Sequence, residues 1–444
     1  MTTETRRLTL LDATMLVMGG IIGVGIFFKP HGVAQLVPEP AAFFGMWGLG
    51  ALAALAGAMT FAELAGTFPR TGGWYVFLRE GIGSLAAFLF AWVVLLVVST
   101  GACAAVAEFG AQRIEVLLGF EDDDPLRRRL LAGGLIVGIT LLGMAGLKAG
   151  AVLQNLCMLA KLLVIAVVVF VGLLLFTEPA LQAVPAVLPT APLPRRMISA
   201  ALPVLFTYGG WQLLTYVAPH VENPARNLPR AIVWGVAGVG VVYLALNAAF
   251  VRVLGMGGLA DLPDVAAVLA ERTLGVHGAL VLEAAMAISA IGFLVATLIA
   301  TPGVYVAMAR ERLFLRAVGR THPRTGAPMV ALGIQALVTL AYLVLSGDVR
   351  NELGDAVVFA EWIFHALVGY ALLRLRHTRP ELERPFRSPL YPLFPLVYTL
   401  LAVGVVLGNL FTSPGRITML GLGVLAIGAV VYVPWKRLDR PQAG

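Results

Sequence analysis

The chain has 444 residues, of which 59% are hydrophobic and only 13% are charged. A soluble domain carries about twice that charged fraction, so the composition excludes an ordinary soluble domain. The net charge of +7 does not indicate a nucleic-acid partner, because the basic residues lie in short segments between apolar runs, where they set membrane orientation. The two cysteines, Cys103 and Cys157, lie within apolar runs and predict neither a disulfide framework nor a redox motif.

Twelve apolar runs follow one another along the chain, each near the roughly 20 residues that cross a bilayer as a helix. They predict an all-α membrane protein whose single transmembrane domain covers residues 1–444 and whose surroundings are the lipid bilayer. The predicted spans are residues 10–35, 40–66, 84–118, 126–146, 150–176, 197–217, 230–254, 277–309, 328–346, 355–375, 390–411 and 417–434.

The N-terminal segment MTTETRRLTLLDA is too short and polar for a cleavable signal peptide, so we expect the first run to remain in the membrane. With this N-terminus in the cytoplasm, most lysines and arginines fall in segments on the cytoplasmic side. The positive-inside rule therefore predicts a multi-pass protein of the inner membrane, with both termini in the cytoplasm. Arg127 to Arg129 lie on the opposite side, where the acidic residues of 121–124 offset their charge.

The first span contains the stretch GGIIGVGIFFKP, in which four glycines occur within seven positions. Glycine weakens a helix interior by about 1 kcal/mol relative to alanine. The sixth span has a second interruption, LFTYGGWQ, with Gly209 and Gly210 adjacent. Spans 1 and 6 each begin a set of five, and paired interruptions at matching positions of two inverted halves indicate a transporter's binding site. The alternative is that the glycines only allow close helix packing.

Backbone that leaves the helix at Gly23, Val24 and Gly25 frees groups that can bind both ends of an amino acid. N–H groups at the start of the outer half-helix lie at its positive dipole end and can hold a carboxylate. Carbonyls of the inner half-helix, and those from Phe206 to Gly209, can accept hydrogen bonds from an ammonium group. Non-helical backbone at this depth requires a cavity, so we expect the substrate site there.

Four stretches resemble one transporter family, and together they cover essentially the whole chain. GGIIGVGIFFKP resembles the first-span signature of the amino acid–polyamine–organocation superfamily, and YGGWQLLTYVAPHVENPARNLPRAI resembles the sixth span and following loop of its L-type amino-acid transporter family. AELAGTFPRTGGWYVFLREGIG and LRHTRPELERP are also similar to that family. The resemblance implies a LeuT-like fold, with two inverted five-helix repeats, discontinuous helices 1 and 6, and two extra helices. The repeats then cover about 10–176 and 197–375, and the extra helices about 390–434.

The same resemblance implies roles for individual residues. It implies a backbone site for the carboxylate at Val24, Gly25 and Ile26. It implies carbonyl acceptors for the ammonium in both interrupted spans, and an aromatic gate at Phe206. Val24 replaces the family's usual serine, which removes a hydroxyl from the carboxylate end. The substrate-binding residues implied in this way are Ile21, Gly23, Val24, Gly25, Ile26, Phe206, Gly209, Gly210 and Gln212.

Lys161 lies within the apolar fifth span, where a charge costs a few kcal/mol or more and therefore indicates function. The alternative is that its side chain snorkels to an interface. In sodium-independent relatives, a lysine of the fifth span takes the place of a sodium ion and bridges spans 1 and 8. The resemblance thus implies sodium independence, with Thr297 of span 8 as the hydroxyl partner of Lys161. Burial disfavours the charged form of a lysine, so Lys161 can also lose its proton during transport.

Other polar and aromatic residues of the spans leave alternatives open. Glu361 and His365 are spaced i,i+4 and share one face of span 10, so they form either a proton relay or a mutually satisfied pair. Trp211 and Trp362 either line the pocket or only pack. Glu108, late in span 3, fits a relay or a packing role, whereas Glu63 and Asp12 near span ends are expected to be solvated or to cap helices.

Two functions other than transport are alternatives for a chain of this composition. An intramembrane enzyme needs a nucleophile–base pair or a metal cluster, and the chain has neither HExxH nor GxSxG, with its six histidines scattered. We therefore expect no enzymatic activity, no metal and no cofactor. A transporter-like sensor would be expected to carry a long signalling tail or an added soluble domain, and neither is visible.

We expect a sodium-independent secondary transporter of L-amino acids, which acts by alternating access and exchanges neutral amino acids. Proton-coupled symport is one alternative, and a carrier of cationic amino acids, polyamines or amines is another. A cationic substrate would need a carboxylate in the side-chain pocket, for which Glu361 is the candidate. The resemblance is to a bacterial member that works without a glycoprotein heavy-chain partner.

Overall fold

The computed structural model describes residues 7–120, 122–178, 180, 190–262, 264–345, 349–412 and 416–438, with side chains omitted from 345–360, 409–420 and 437–438. Helices dominate the described residues. The helices are α1 (Leu10–Ile21), α2 (Gly25–Leu36), α3 (Pro40–Thr67), α4 (Trp74–Gly81), α5 (Ser84–Val93), α6 (Ser99–Leu117), α7 (Pro125–Ala145), α8 (Leu147–Phe170), α9 (Leu193–Thr207), α10 (Leu213–Tyr216), α11 (Pro224–Asp261), α12 (Val265–Leu274), α13 (Gly278–Ala300), α14 (Pro302–Arg310), α15 (Met329–Leu345), α16 (Val349–Thr378), α17 (Leu393–Thr412) and α18 (Arg416–Leu438).

The helices give direct support for a membrane protein. Among the described residues, six helical stretches are long and apolar enough to cross a bilayer, and the bent pair α1–α2 makes a seventh. Three shorter apolar helices, Met329–Val344, Leu393–Gly408 and Gly421–Lys436, coincide with predicted spans 9, 11 and 12. The count of twelve spans and the inverted repeat stay predictions.

Two local breaks in the helices lie at the end of predicted span 7 and within predicted span 8. In α11 the backbone of Gly255 takes φ +70°, so the helix kinks where the sequence places the end of span 7. Predicted span 8 is divided between α13 and α14 at Pro302. Proline is favoured in the first turn of a helix and unfavourable in its interior, which explains a new helix at this position.

The N-terminal end of α1 is fixed by two local contacts. Thr9 caps α1, since its hydroxyl accepts from the N–H of Asp12 while the Asp12 carboxylate accepts from the N–H of Thr9. This reciprocal pair satisfies N–H groups that a helix start would otherwise leave free. Before the cap, Leu8 forms a parallel β-bridge with Val221, in the segment after α10. Asp12 is therefore a capping residue, as the sequence predicts.

Glu63 does not have the solvated role that the sequence suggests. Its side chain is completely buried at the end of α3, and its two oxygens accept from Arg376 at 2.7 and 2.6 Å. The N–H of Ser388 donates to the same carboxylate at 2.7 Å, and Arg384 lies 3.4 Å away. Glu63 thus joins α3 to α16 and to the segment between α16 and α17.

The helices around the two interruptions pack as two sets. The first helix group is α1, α2, α3, α9 and α11, with α11 packed along α3 and α1. The second helix group is α6, α7, α8, α13 and α15, with α13 packed along α6 and α8. The groups meet where α1 contacts α8 and α13. Both interrupted helices belong to the first group, and the interruption in α1–α2 faces the second.

Candidate functional site

The first span is interrupted where its glycines predict. Ile22, Gly23 and Val24 lie outside the helix, and the axes of α1 and α2 differ by 42°. The N–H of Ile22 still donates to Met18, and that of Gly23 turns back to Ile21 at 2.8 Å. Gly25 is already the first residue of α2, so the interruption lies one residue earlier than the sequence indicates.

The start of α2 presents free backbone donors. Among the described residues, no acceptor is found for the N–H groups of Val24, Gly25 or Ile26, whereas that of Phe27 donates to Val24 at 3.2 Å. No side chain of the described residues caps this helix start. Free N–H groups at the positive end of a helix dipole form a binding site for an anion. This arrangement can hold a carboxylate.

The second interruption lies directly against the first. Residues 208–212 separate α9 from α10, and Gly210 takes φ +119°, a conformation that side chains disfavour. A Cβ atom on Gly20 would lie only 2.8 Å from the carbonyl oxygen of Gly210. The two interrupted segments are therefore in direct backbone contact, which requires glycine at both position 20 and position 210.

Tyr243 of α11 connects the two interruptions, and the sequence analysis missed it. Its hydroxyl lies 3.0 Å from the carbonyl oxygen of Ile21 and 3.1 Å from that of Thr207, and donates to them. The tyrosine is completely buried. A buried tyrosine usually needs a partner for its hydroxyl, so a tyrosine in the middle of an apolar span was the available signal. The carbonyl of Phe206 already accepts from the N–H of Gly209 at 3.1 Å.

Lys161 reaches the first interruption from α8. Its Nζ donates to the carbonyl oxygen of Ile22 at 2.5 Å, and the side chain is completely buried. Snorkelling to an interface is therefore wrong. Ser289 of α13 lies beside it, since its hydroxyl is 3.0 Å from the carbonyl oxygen of Gly23 and 3.3 Å from that of Ile22. One lysine and one serine from the second helix group thus hold the freed carbonyls of the first span.

The predicted pairing of Lys161 with Thr297 is not formed. The Thr297 hydroxyl is buried and has no hydrogen-bond partner among the described residues. Thr297 follows Ser289 by eight residues on α13, which is about 12 Å along a helix axis. The resemblance indicated the helix that supplies a hydroxyl, α13. The structure places the hydroxyl of Ser289, and not that of Thr297, at the first interruption.

Gln212 connects the second interruption to an acidic residue. Its Oε1 accepts from the N–H of Gly210 at 3.1 Å, and its Nε2 donates to Glu361 at 2.6 Å. Glu361 lies 3.9 Å from His365, which in turn hydrogen-bonds the hydroxyl of Tyr398. The close partner of Glu361 is therefore Gln212, and that of His365 is Tyr398.

The remaining predicted residues lie around Glu361 and His365 or apart from them. Trp211 and Trp362 are buried, with ring centroids 5.7 and 4.9 Å from that of His365. They pack on the histidine. Glu108 has a buried oxygen without a partner among the described residues. Phe206, by contrast, keeps 39% of its surface exposed, next to the second interruption.

Known proteins are similar to this chain over nearly its whole length. The family described as amino acid permease matches residues 8–433. The b(0,+)-type amino acid transporter 1 of Homo sapiens is 28% identical over 411 residues, which cover 92% of this chain and 83% of the relative. The serine/threonine exchanger SteT of Bacillus subtilis (strain 168) is 28% identical over 428 residues, which cover 95% of this chain and 96% of the relative. The cystine/glutamate transporter of Homo sapiens is 28% identical over 444 residues, which cover 98% of this chain and 87% of the relative.

Proposed function

The chain belongs to the amino acid permease family, and from this premise we propose that it exchanges neutral L-amino acids by alternating access, without sodium. It is a multi-pass membrane transporter of amino acids and not an enzyme. One observation carries the proposal, namely the N–H groups of Val24, Gly25 and Ile26, which lack acceptors among the described residues at the start of α2. They form the carboxylate end of the site.

The ammonium end of the substrate lies at the carbonyls of the two interruptions. Those of Ile21, Phe206 and Gly209 are the acceptors. Because the carbonyl of Ile21 already accepts from the N–H of Gly23 and from the hydroxyl of Tyr243, the ammonium displaces or shares one of these donors when it binds there. Tyr243 fixes the carbonyl of Ile21, so the acceptor is oriented before substrate binds. Gly23 leaves room for the substrate, Gly210 lets the second interruption pack against Gly20, and Gln212 orients the N–H of Gly210.

Lys161 is the basis for sodium independence. Its ammonium occupies a position between α8 and the first interruption, beside Ser289 of α13. A bound sodium ion would need oxygen ligands at this position, and the ammonium already takes the carbonyl of Ile22. The positive charge is thus supplied by the chain itself.

Exchange of neutral substrates is supported by the relatives. The SteT protein is a serine/threonine exchanger by name, and it is matched along 96% of its own length. The second candidate, a carrier of cationic amino acids or amines, is favoured by one observation: Glu361 is a carboxylate joined to the second interruption through Gln212. Proton-coupled symport draws on the same group, through Glu361 and His365.

The arrangement in the membrane completes the proposal. Twelve spans in two inverted sets of five plus two extra helices give an inner-membrane protein with both termini in the cytoplasm, and α2 then lies on the outer side. We propose that the chain works without a heavy-chain partner.

Uptake into proteoliposomes tests the function. Loss of one charge-assisted hydrogen bond costs roughly 1.5–3 kcal/mol, which weakens binding by about tenfold to over a hundredfold. Amino-acid amides and N-acetylated amino acids should therefore compete poorly with a labelled neutral amino acid, and uptake should need amino acid inside the vesicles. Replacing sodium with choline should change nothing. If simple amines compete as well as amino acids do, the protein is an amine carrier.

A further inference from the structure

A row of aromatic rings and charged side chains lies on the α2 side of the first interruption. The row contains Phe206, Lys29, Phe28, Phe109, Arg113 and Glu283, in that order. Its members come from four helices, namely α9, α2, α6 and α13. We call these six residues the outer row.

Lys29 lies between two rings of the outer row. Its Nζ is 5.4 Å from the ring centroid of Phe206 and 5.3 Å from that of Phe28. Both rings are well exposed, Phe206 at 39% and Phe28 at 41%. A cation within about 6 Å of a ring centroid is attracted by the ring face. The ammonium therefore holds the ring of Phe206 near that of Phe28.

The other half of the outer row is fixed by an ion pair. The guanidinium of Arg113 lies 5.1 Å from the ring centroid of Phe109. Its Nη1 donates to both oxygens of Glu283, at 3.0 and 3.2 Å. Since Arg113 and Glu283 are 15% and 10% exposed, solvent screens their attraction only weakly. Phe109 is thus held in place from α13.

The two halves of the outer row belong to different helix groups. Phe206, Lys29 and Phe28 lie in the first helix group, and the rest lie in the second. The joint between them is the pair Phe28–Phe109, with ring centroids 6.4 Å apart. A change in the relative position of the two helix groups would make or break this contact.

Lys29 also lies close to the carboxylate end of the site. Its Cγ would be 3.9 Å from a Cβ atom on Gly25, and the hydroxyl of Thr207 would be 3.5 Å from the same point. The ammonium is three bonds beyond that Cγ. The stem of Lys29 thus begins beside Gly25, and its ammonium lies against the exposed ring of Phe206.

We propose that Lys29 is a positioning residue, whose ammonium holds the ring of Phe206 so that the outer row closes over the substrate. The inference rests on the proposed function of the site at the two interruptions. Phe206 lies next to the second interruption, and Lys29 acts through Phe206. The net charge of the outer row is +1, which also favours the approach of a carboxylate.

The test uses variants that separate the charge of Lys29 from its length. Lys29→Met keeps an apolar side chain of similar length without the cation, and Lys29→Arg keeps the cation. Arg195→Met is the matched control, because Arg195 is an exposed cation at the start of α9. Phe206→Ala removes the ring itself. All are made in the full-length chain.

The first readout measures opening without substrate. A reporter cysteine in place of Phe293, whose ring would be 3.7 Å from a Cβ atom on Gly23, is labelled by a membrane-impermeant maleimide. The native Cys103 and Cys157 are buried, so the chain without reporter serves as the blank. Lys29→Met should speed labelling by about two- to fivefold, as expected for loss of an exposed cation–ring contact. Lys29→Arg and Arg195→Met should label at the parent rate.

The second readout separates binding from turnover. Lys29→Met should raise the KM for uptake by a similar factor with a smaller change in kcat, and Lys29→Arg should restore the KM. The inference is overturned if Lys29→Met leaves labelling unchanged while Phe206→Ala speeds it, or if Lys29→Arg behaves as Lys29→Met does. If the parent chain transports no amino acid, the proposed function fails, and the labelling rates still decide the role of Lys29.

Discussion

Individual side chains from neighbouring helices hold the carbonyls that the first interruption frees. Tyr243 takes Ile21, Lys161 takes Ile22, and Ser289 lies against Gly23. A buried carbonyl left without a partner costs about 1–3 kcal/mol. These three donors therefore stabilise a conformation that the helix's own backbone hydrogen bonds do not stabilise.

Tyr243→Phe should impair transport while the protein still folds. The substitution removes a single hydroxyl, so the carbonyl of Thr207 loses this donor and the carbonyl of Ile21 keeps only the N–H of Gly23. A loss of about 1–1.5 kcal/mol corresponds to a rise in KM of about five- to twelvefold. Tyr342→Phe is the matched control, since its hydroxyl bonds Leu96 away from both interruptions. Equal effects of the two substitutions on KM would contradict a role for Tyr243 in the site.

Two hydroxyls on α13 should differ in importance. Ser289→Ala removes a donor to the first interruption and should raise KM several-fold, because the net value of such a hydrogen bond is about 1 kcal/mol. Thr297→Val keeps the shape and removes a hydroxyl that has no partner among the described residues, so it should leave uptake near the parent rate. Uptake kinetics of both variants decide the matter; a larger defect in Thr297→Val would restore Thr297 as the functional hydroxyl.

These residue-scale contacts also mark how far the sequence could lead. The buried charge at Lys161 was visible as a charge in an apolar span, and the helix that supplies a hydroxyl followed from the resemblance. The choice between Ser289 and Thr297 was not visible, because it depends on the relative height of α8 and α13, which no local pattern encodes. Tyr243 was missed for the same reason: its partners lie in helices distant in sequence.

At the scale of helices, glycine placement predicted both interruptions. Glycine lowers the cost of leaving the helix and leaves room for a second chain, and both effects are local. The side chains that stabilise the interruptions are non-local. The kink at Gly255 escaped prediction as a kink, although the end of span 7 was placed beside it.

Gly25→Leu should abolish transport without preventing insertion into the membrane. A Cβ atom on Gly25 would meet Thr207 at 3.5 and 3.6 Å, which is ordinary contact, so alanine should be tolerated sterically. The larger side chain of leucine would occupy the space next to the free N–H groups of α2. Gly32→Leu is the control on the same helix, because a Cβ atom there meets nothing within 4 Å. Surface expression and uptake are measured together, and normal affinity in Gly25→Leu would mean that the glycines only serve packing.

At the scale of the whole molecule, a few buried ion pairs join elements that the sequence separates widely. Glu63 binds Arg376, and Arg384 lies nearby, more than three hundred residues along the chain. The sequence suggested a solvated role because Glu63 lies near a span end. Its burial follows from how α16 and the next segment return to α3, which only the assembled fold determines.

Glu63→Gln should lower the stability of the whole protein. The change leaves two arginines without their carboxylate, and breaking a buried ion pair costs about 3–5 kcal/mol. Glu39→Gln is the control: Glu39 also pairs with an arginine, Arg196, but is 46% exposed, and exposed pairs contribute about 0–1 kcal/mol. The midpoint of thermal unfolding in detergent should fall clearly for Glu63→Gln and hardly for Glu39→Gln. Equal midpoints would show that the buried pair is not a structural requirement.

The parallel bridge between Leu8 and Val221 has a mechanical consequence. The N–H of Leu8 donates to His220 at 2.7 Å, and its carbonyl accepts from Glu222 at 2.9 Å, so the residues before α1 are tied to the residues after α10. The half-helices α1 and α10 are thus fastened at their far ends as well as at Gly20 and Gly210. A tilt of either half-helix therefore moves the other half-helix with it. Deleting the residues up to and including Leu8 would remove this connection, and α1 and α10 could then move independently.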